Sequence, residues 1–132
     1  MLKNFKKNNN KGFTLVELLV VIAIIGILSV VAVPSLFKNI QKAKTTEAIA
    51  YINAAKTAAV SVYADTQTID ASMVIAAIDG KAPTGVKISG ATVAAETGST
   101  TPKLKITVTV TDDTLKTALT AQFADDGSVT IQ

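Results

Sequence analysis

The chain has 132 residues, 48% of them hydrophobic, and a formal net charge of +3, which leaves room for one modest domain. It holds no cysteine, histidine, tryptophan or arginine, which excludes a disulfide framework, a cysteine-ligated zinc site, haem attachment and the commonest acid–base and thiol catalysts. The positive charge is local: without Lys3, Lys6, Lys7 and Lys11 the balance is −1, so a basic nucleic-acid-binding domain is not indicated.

Residues 1–12 are polar and basic and read as a leader that stays in the cytoplasm. Lysines before an apolar run hold the cytosolic end of a membrane segment. From Phe13 to Val33 the chain is apolar for about twenty residues, the length of a membrane-spanning helix. Glu17 is the single carboxylate inside it. A charged side chain at mid-bilayer costs about 2.5–3.5 kcal/mol, so such a group normally has a functional reason. An ordinary secretory signal peptide, cut near Val30-Val31-Ala32, would have a core of about 7–15 residues rather than this longer, acid-interrupted one. Between Leu18 and Val33 the helix is apolar all round, as expected in lipid or at the centre of a bundle. Gly26 and Pro34 are its weak points. Glycine costs about 1 kcal/mol relative to alanine, and Pro34 cannot donate to the carbonyl of Val30. The segment between them can bend or unwind locally, although both residues are common in membrane helices.

Lys38, Lys42 and Lys44 mark the exit from the apolar layer, as lysines facing lipid headgroups or simply as a solvated helix face. Ala48, Ile49, Ile52, Ala55, Ala59, Val60 and Tyr63 then recur at spacings of three and four, one apolar stripe on a helix. The spacing predicts one helix from about Phe13 to about Ala64, roughly 75–80 Å long. Such a rod is too long to bury in the remaining chain, so its first half is expected to project. Asp65 to Gly85 forms a connector holding a short helix, with Asp70 as N-cap and Gly80 just past its end. Asp79-Gly80 and Pro83-Thr84-Gly85 break the chain.

The remainder is strand-rich. Val86 to Ala95 is a predicted strand with Gly90 as a bend or bulge, and Glu96 to Pro102 is a loop. Leu104, Ile106, Val108 and Val110 alternate with Lys105, Thr107, Thr109 and Thr111, a strand with one buried and one wet face. Asp112 to Ala118 is a turn or a short capped helix. Leu119 to Ala124 and Ser128 to Ile131 flank Asp125-Asp126-Gly127 as a closing hairpin. The expected fold is α+β: a long N-terminal helix whose C-terminal half packs on a small antiparallel sheet of three to four strands. The pairs Asp112-Asp113 and Asp125-Asp126 lack the ligand spacing of a calcium loop and read as solvated turn residues. Thr97 to Thr101 is a surface loop that could carry O-glycans. No catalytic, cofactor-binding or metal site is expected.

The stretch Lys11-Gly12-Phe13-Thr14-Leu15-Val16-Glu17 with the apolar run to Leu28, followed by Ala32-Val33-Pro34, resembles the N-terminus of type IV pilins and of the pseudopilins of type II secretion and competence systems. The strong likeness covers about residues 11–35; beyond it only the architecture agrees. The resemblance implies a cytoplasmic leader, residues 1–12, cut after Gly12 by a prepilin peptidase. Phe13 would become the N-methylated N-terminus, and Glu17 would serve methylation and docking into the fibre. Gly26 and Pro34 fall where helices of this family lose regularity. Residues 13–35 would be the membrane and assembly half of the helix, and 36–132 the globular head.

The same resemblance implies a helical homopolymer drawn from the cytoplasmic membrane by an assembly platform and its ATPase, and displayed as a surface filament. Motility, adhesion and DNA uptake are not distinguished. Residue chemistry agrees. Glycine lets backbone approach a protease closely. A new amine at a helix start opposes the macrodipole, and the amine of one subunit can pair with Glu17 of the next. A pseudopilin is the nearest alternative, weakened because no C-terminal calcium site is found. A membrane-anchored binding module is the second, and an enzyme is not expected.

Overall fold

A computed structural model describes residues 12–78, 81–94 and 103–132. The elements are α1 (Leu15–Thr66), α2 (Ala71–Ala77), β1 (Val86–Ala94), β2 (Lys103–Val110), α3 (Asp113–Gln122) and β3 (Val129–Ile131). The fold is α+β, with the long N-terminal helix and small sheet that the sequence predicts. Residues 1–11, the break at Asp79-Gly80 and the expected loop with its threonines lie outside the described residues.

The chain divides between Lys38 and Asn39 into two compact units. In the first, every described residue is exposed. Its isoleucines and valines are modest helix formers, but a helix satisfies its own backbone, which is the requirement in lipid. The helix runs unbroken through Gly26 and Pro34. Ser29 adds a bond from its hydroxyl to the carbonyl of Ile25, at 2.7 Å.

The second unit holds the core. Ala48, Ile52, Ala55 and Ala59 form the buried stripe of α1, in one core cluster with Ile88 of β1 and Ile106 and Val108 of β2. Val60 falls outside that stripe and is 59% exposed. The helix ends two residues later than Ala64, where Gln67 turns to φ +56° and donates its N–H to the carbonyl of Tyr63 at 2.9 Å. Asp70 caps α2, its Oδ1 accepting from the amides of Ser72 at 2.7 Å and Met73 at 3.0 Å. Bonds first from the Ser72 hydroxyl and then from the Met73 amide hold its carboxyl below the usual range.

The sheet has three strands in the order β1-β2-β3. β1 and β2 are antiparallel, with a register shift between Ile88 and Gly90. That bulge resets the alternation: Val86 and Ile88 point inward before it and Ala91 after it. On β2, Ile106, Val108 and Val110 are buried.

The sequence expectation fails at the C-terminal end. β3 pairs with β2 in parallel, so the sheet is mixed, and no closing hairpin forms around Asp125-Asp126-Gly127. Residues 113–122 are helical instead. Asp112 caps α3, accepting from the amides of Thr114 and Leu115 at 2.9 and 3.0 Å. Leu115 and Leu119, one turn apart, are both buried, and Phe123 just beyond the helix extends the face. A parallel pair needs a crossover of a dozen or more residues, and the segment carrying α3 supplies it.

Candidate membrane and assembly segment

The segment is built from the start of α1. Thr14 precedes the first helical residue, where the leading amides have no intrahelical acceptor. Glu17 Oε2 accepts from the Thr14 amide at 2.8 Å and from the Thr14 hydroxyl at 2.7 Å. Thr14 Oγ1 in turn accepts from the Glu17 amide at 3.2 Å. This reciprocal arrangement is a capping box. It draws the carboxylate back toward the helix start, where the macrodipole favours negative charge. One oxygen of Glu17 takes both Thr14 donors.

Around this polar knot the surface is apolar. Phe13 is 92% exposed and Leu15 78%, and Gly12 is open, with nothing within 4 Å of the place a Cβ would take. α1 contains a stretch long and apolar enough to cross a membrane, none of it buried within the chain. Gly26 is equally open, so no packing inside the chain demands a glycine there. Glu17, Phe13 and Gly12 therefore lie together at one end of the segment, and Gly26 and Pro34 lie farther along the same helix. Thr14 escapes the sequence reasoning, although Thr14-Leu15-Val16-Glu17 carries the T-x-x-E signal of a capped helix start.

One acid of each pair in the second unit has a folding role, where the sequence reads both pairs as solvated turn residues. Asp112 caps α3. Asp126 forms an ion pair with Lys56 of α1 and accepts from the Ser128 amide at 3.0 Å. Lys56 first, then the Ser128 hydroxyl, pull the Asp126 carboxyl down to about 2.

A family profile described as the prokaryotic N-terminal methylation motif matches residues 7–33. Fimbrial protein EcpC of Eikenella corrodens is 32% identical over 126 residues, which cover 92% of this chain and 80% of that protein. The chain belongs to the type IV pilin family. Fimbrial protein Q of Moraxella bovis is 51% identical over 51 residues, 39% of this chain and 32% of the relative. The type IV wide pilus major component PilA4 of Thermus thermophilus is 53% identical over 45 residues, 34% of each chain. In these two matches the chain spans about a third of the relative's length. No solved structure matches the chain. Membership agrees with the capped, wholly exposed apolar helix, and the family is one of structural proteins.

Proposed function

We propose that the chain is a subunit of a type IV pilus, made as a precursor and polymerised from the cytoplasmic membrane into a surface filament. Residues 1–12 are the leader that a prepilin peptidase removes between Gly12 and Phe13. Phe13 then carries the N-methylated amine, residues 13–35 form the membrane and assembly segment, and residues 36–132 form the head. The observation that carries this reading is the apolar helix exposed on every side, with its one carboxylate at the N-terminal end.

In lipid such a helix is satisfied. Among copies of itself it is satisfied again, because identical apolar helices pack together. The carboxylate distinguishes the two environments. Cleavage creates a cationic amine at Phe13, one helical turn from Glu17, and methylation leaves its charge in place. Pairing that amine with Glu17 of the adjacent subunit leaves neither charge buried alone. A contact between different faces of neighbouring subunits that does not close on itself propagates as a filament. The assembly platform and its ATPase would supply the work of extraction from the membrane. If α1 unwinds between Gly26 and Pro34 in the fibre, the Ser29 hydroxyl is placed to satisfy a freed carbonyl.

Two measurements on sheared surface material test this reading. Mass spectrometry should find an N-terminal methylated Phe13, and an intact Met1 in fibres would overturn the processing step. Glu17→Ala should leave the protein in the membrane fraction and abolish normal fibres. A wild-type fibre yield from that variant would remove Glu17 from the mechanism.

A further inference from the structure

Two of the three bonds between Thr14 and Glu17 are what a helix start requires, and the third is not. The carbonyl of Thr14 accepts from the Leu18 amide at 3.3 Å, so Thr14 is the capping residue of α1. Its hydroxyl oxygen accepts from the Glu17 amide, and the Glu17 carboxylate accepts from the Thr14 amide. These two bonds satisfy amides that a helix start leaves over. The Thr14 hydroxyl also donates to the same carboxylate oxygen, Oε2, at 2.7 Å. That bond satisfies no amide. It holds an exposed side chain that would otherwise sample several rotamers.

The held carboxylate stands beside the proposed cleavage point. Gly12, Phe13 and Thr14 precede the helix. Successive backbone nitrogens are at most about 3.7 Å apart, and the Thr14 nitrogen is 2.8 Å from Oε2. The Phe13 nitrogen is therefore within about 6.5 Å of that oxygen. Among the described residues, neither the Phe13 nitrogen nor Glu17 Oε1 has a hydrogen-bond partner. Rotation about the Phe13 Cα–C bond brings its nitrogen to the same side as the Thr14 nitrogen, facing the carboxylate.

We propose that Thr14 is a positioning residue for N-methylation, holding the Glu17 carboxylate against the Phe13 amine of its own chain. The inference rests on the reading that the chain is cut after Gly12 and methylated on Phe13. Once the new amine has given a proton to water, Glu17 Oε1 accepts from one of its two hydrogens and fixes the direction of the lone pair. The lone pair then forms a bond to the methyl carbon of a sulfonium donor held by the methylating enzyme. The carbon–sulfur bond breaks with its electron pair left on sulfur, giving a thioether and a methylammonium at Phe13. Thr14 touches no reacting atom. It acts through Glu17, and placement of this kind governs the rate of transfer between bound groups. The contact within one chain belongs to the membrane-bound subunit and precedes the pairing between subunits in the fibre.

The test follows methylation of the full chain made in its own cells, by mass spectrometry of the membrane fraction at short times after an isotope pulse, scored on cleaved chains. Thr14→Val, which keeps the shape and loses the hydroxyl, should be cleaved as wild type and methylated about fivefold more slowly, the scale of one hydrogen bond. Thr14→Ser should be methylated at the wild-type rate. Thr14→Asp separates holding from capping. Aspartate caps a helix as well as serine does, but it has no hydroxyl to donate and repels Glu17, so its rate should be as low as that of Thr14→Val. The proposal is overturned if Thr14→Val or Thr14→Asp is methylated at the wild-type rate, if Thr14→Ser is as slow as Thr14→Val, or if Thr14→Val is not cleaved, which would place Thr14 at the earlier step. A wild-type chain that is never cleaved, or is cleaved and never methylated, removes the processing reading and this inference with it.

Discussion

Thr14 and Glu17 hold each other in place, and the two should not contribute equally. Removing the carboxylate removes the charge on which the proposed assembly contact rests. Removing the Thr14 side chain leaves the charge but loses the cap, which costs about 1 kcal/mol, and frees the carboxylate to rotate. Thr14→Ala should therefore reduce the yield of sheared fibres less than Glu17→Ala, and Thr14→Ser, which keeps the hydroxyl, should restore it. Equal loss from Thr14→Ala and Thr14→Ser would show that capping is not what matters. The pattern of Gly12, Phe13 and Glu17 is legible because it interrupts a uniform stretch. Thr14 is obscured because its partner stands out first as the one carboxylate in the apolar run.

Asp126 gives a residue-scale prediction of another kind. Its pKa is depressed to about 2 from an ordinary value of about 3.9, so its contribution to folding is present above pH 4 and is lost as pH falls through about 2. Asp126→Asn should destabilise the head by about 0.5–1 kcal/mol at pH 7, the scale of a partly exposed ion pair. Urea unfolding of the full chain in non-ionic detergent should show the gap to wild type narrowing below pH 4 and closing near pH 2. A gap independent of pH would mean that the carboxylate's charge is not what ties α1 to the turn before β3.

At the scale of elements, α1 and β2 are readable because their periodicity is sustained: the stripe from Ala48 to Ala59 and the alternation from Leu104 to Val110 each have one physical explanation. α3 and β3 are not. Leu115, Leu119 and Phe123 are spaced by one helical turn, but the Asp-Asp-Gly sequence beside them is also a strong hairpin signal. The choice depends on a long-range contact, since the face containing Leu119 is stable only against the core. Leu119 is fully buried, so Leu119→Ala should cost about 2–5 kcal/mol, seen as a lower urea midpoint with membrane insertion unchanged. Gly85 is constrained by its backbone. Its φ is +83°, and a Cβ there would stand 3.0 Å from Thr111 Oγ1. Gly85→Ala should cost about 1–2 kcal/mol in the same assay.

At the scale of the whole molecule, two kinds of apolar surface are kept in different parts of the chain. Every core residue lies at or beyond Ala48, whereas the large exposed apolar residues lie between Phe13 and Ile40, apart from Val60, Ile75 and Val93. The first set is satisfied by folding alone. The second can be satisfied only by lipid, detergent or other copies of the chain, since a water-exposed patch of that extent marks an interaction surface. Residues 39–132 expressed alone should therefore be soluble without detergent, run as a monomer on size exclusion, and unfold cooperatively in urea. The full chain should require detergent under the same conditions. If residues 39–132 instead associate or need detergent, the exposed apolar residues of the second unit, Val60 among them, form a further interface, and the proposed assembly would not be confined to the apolar part of the helix that begins at Leu15.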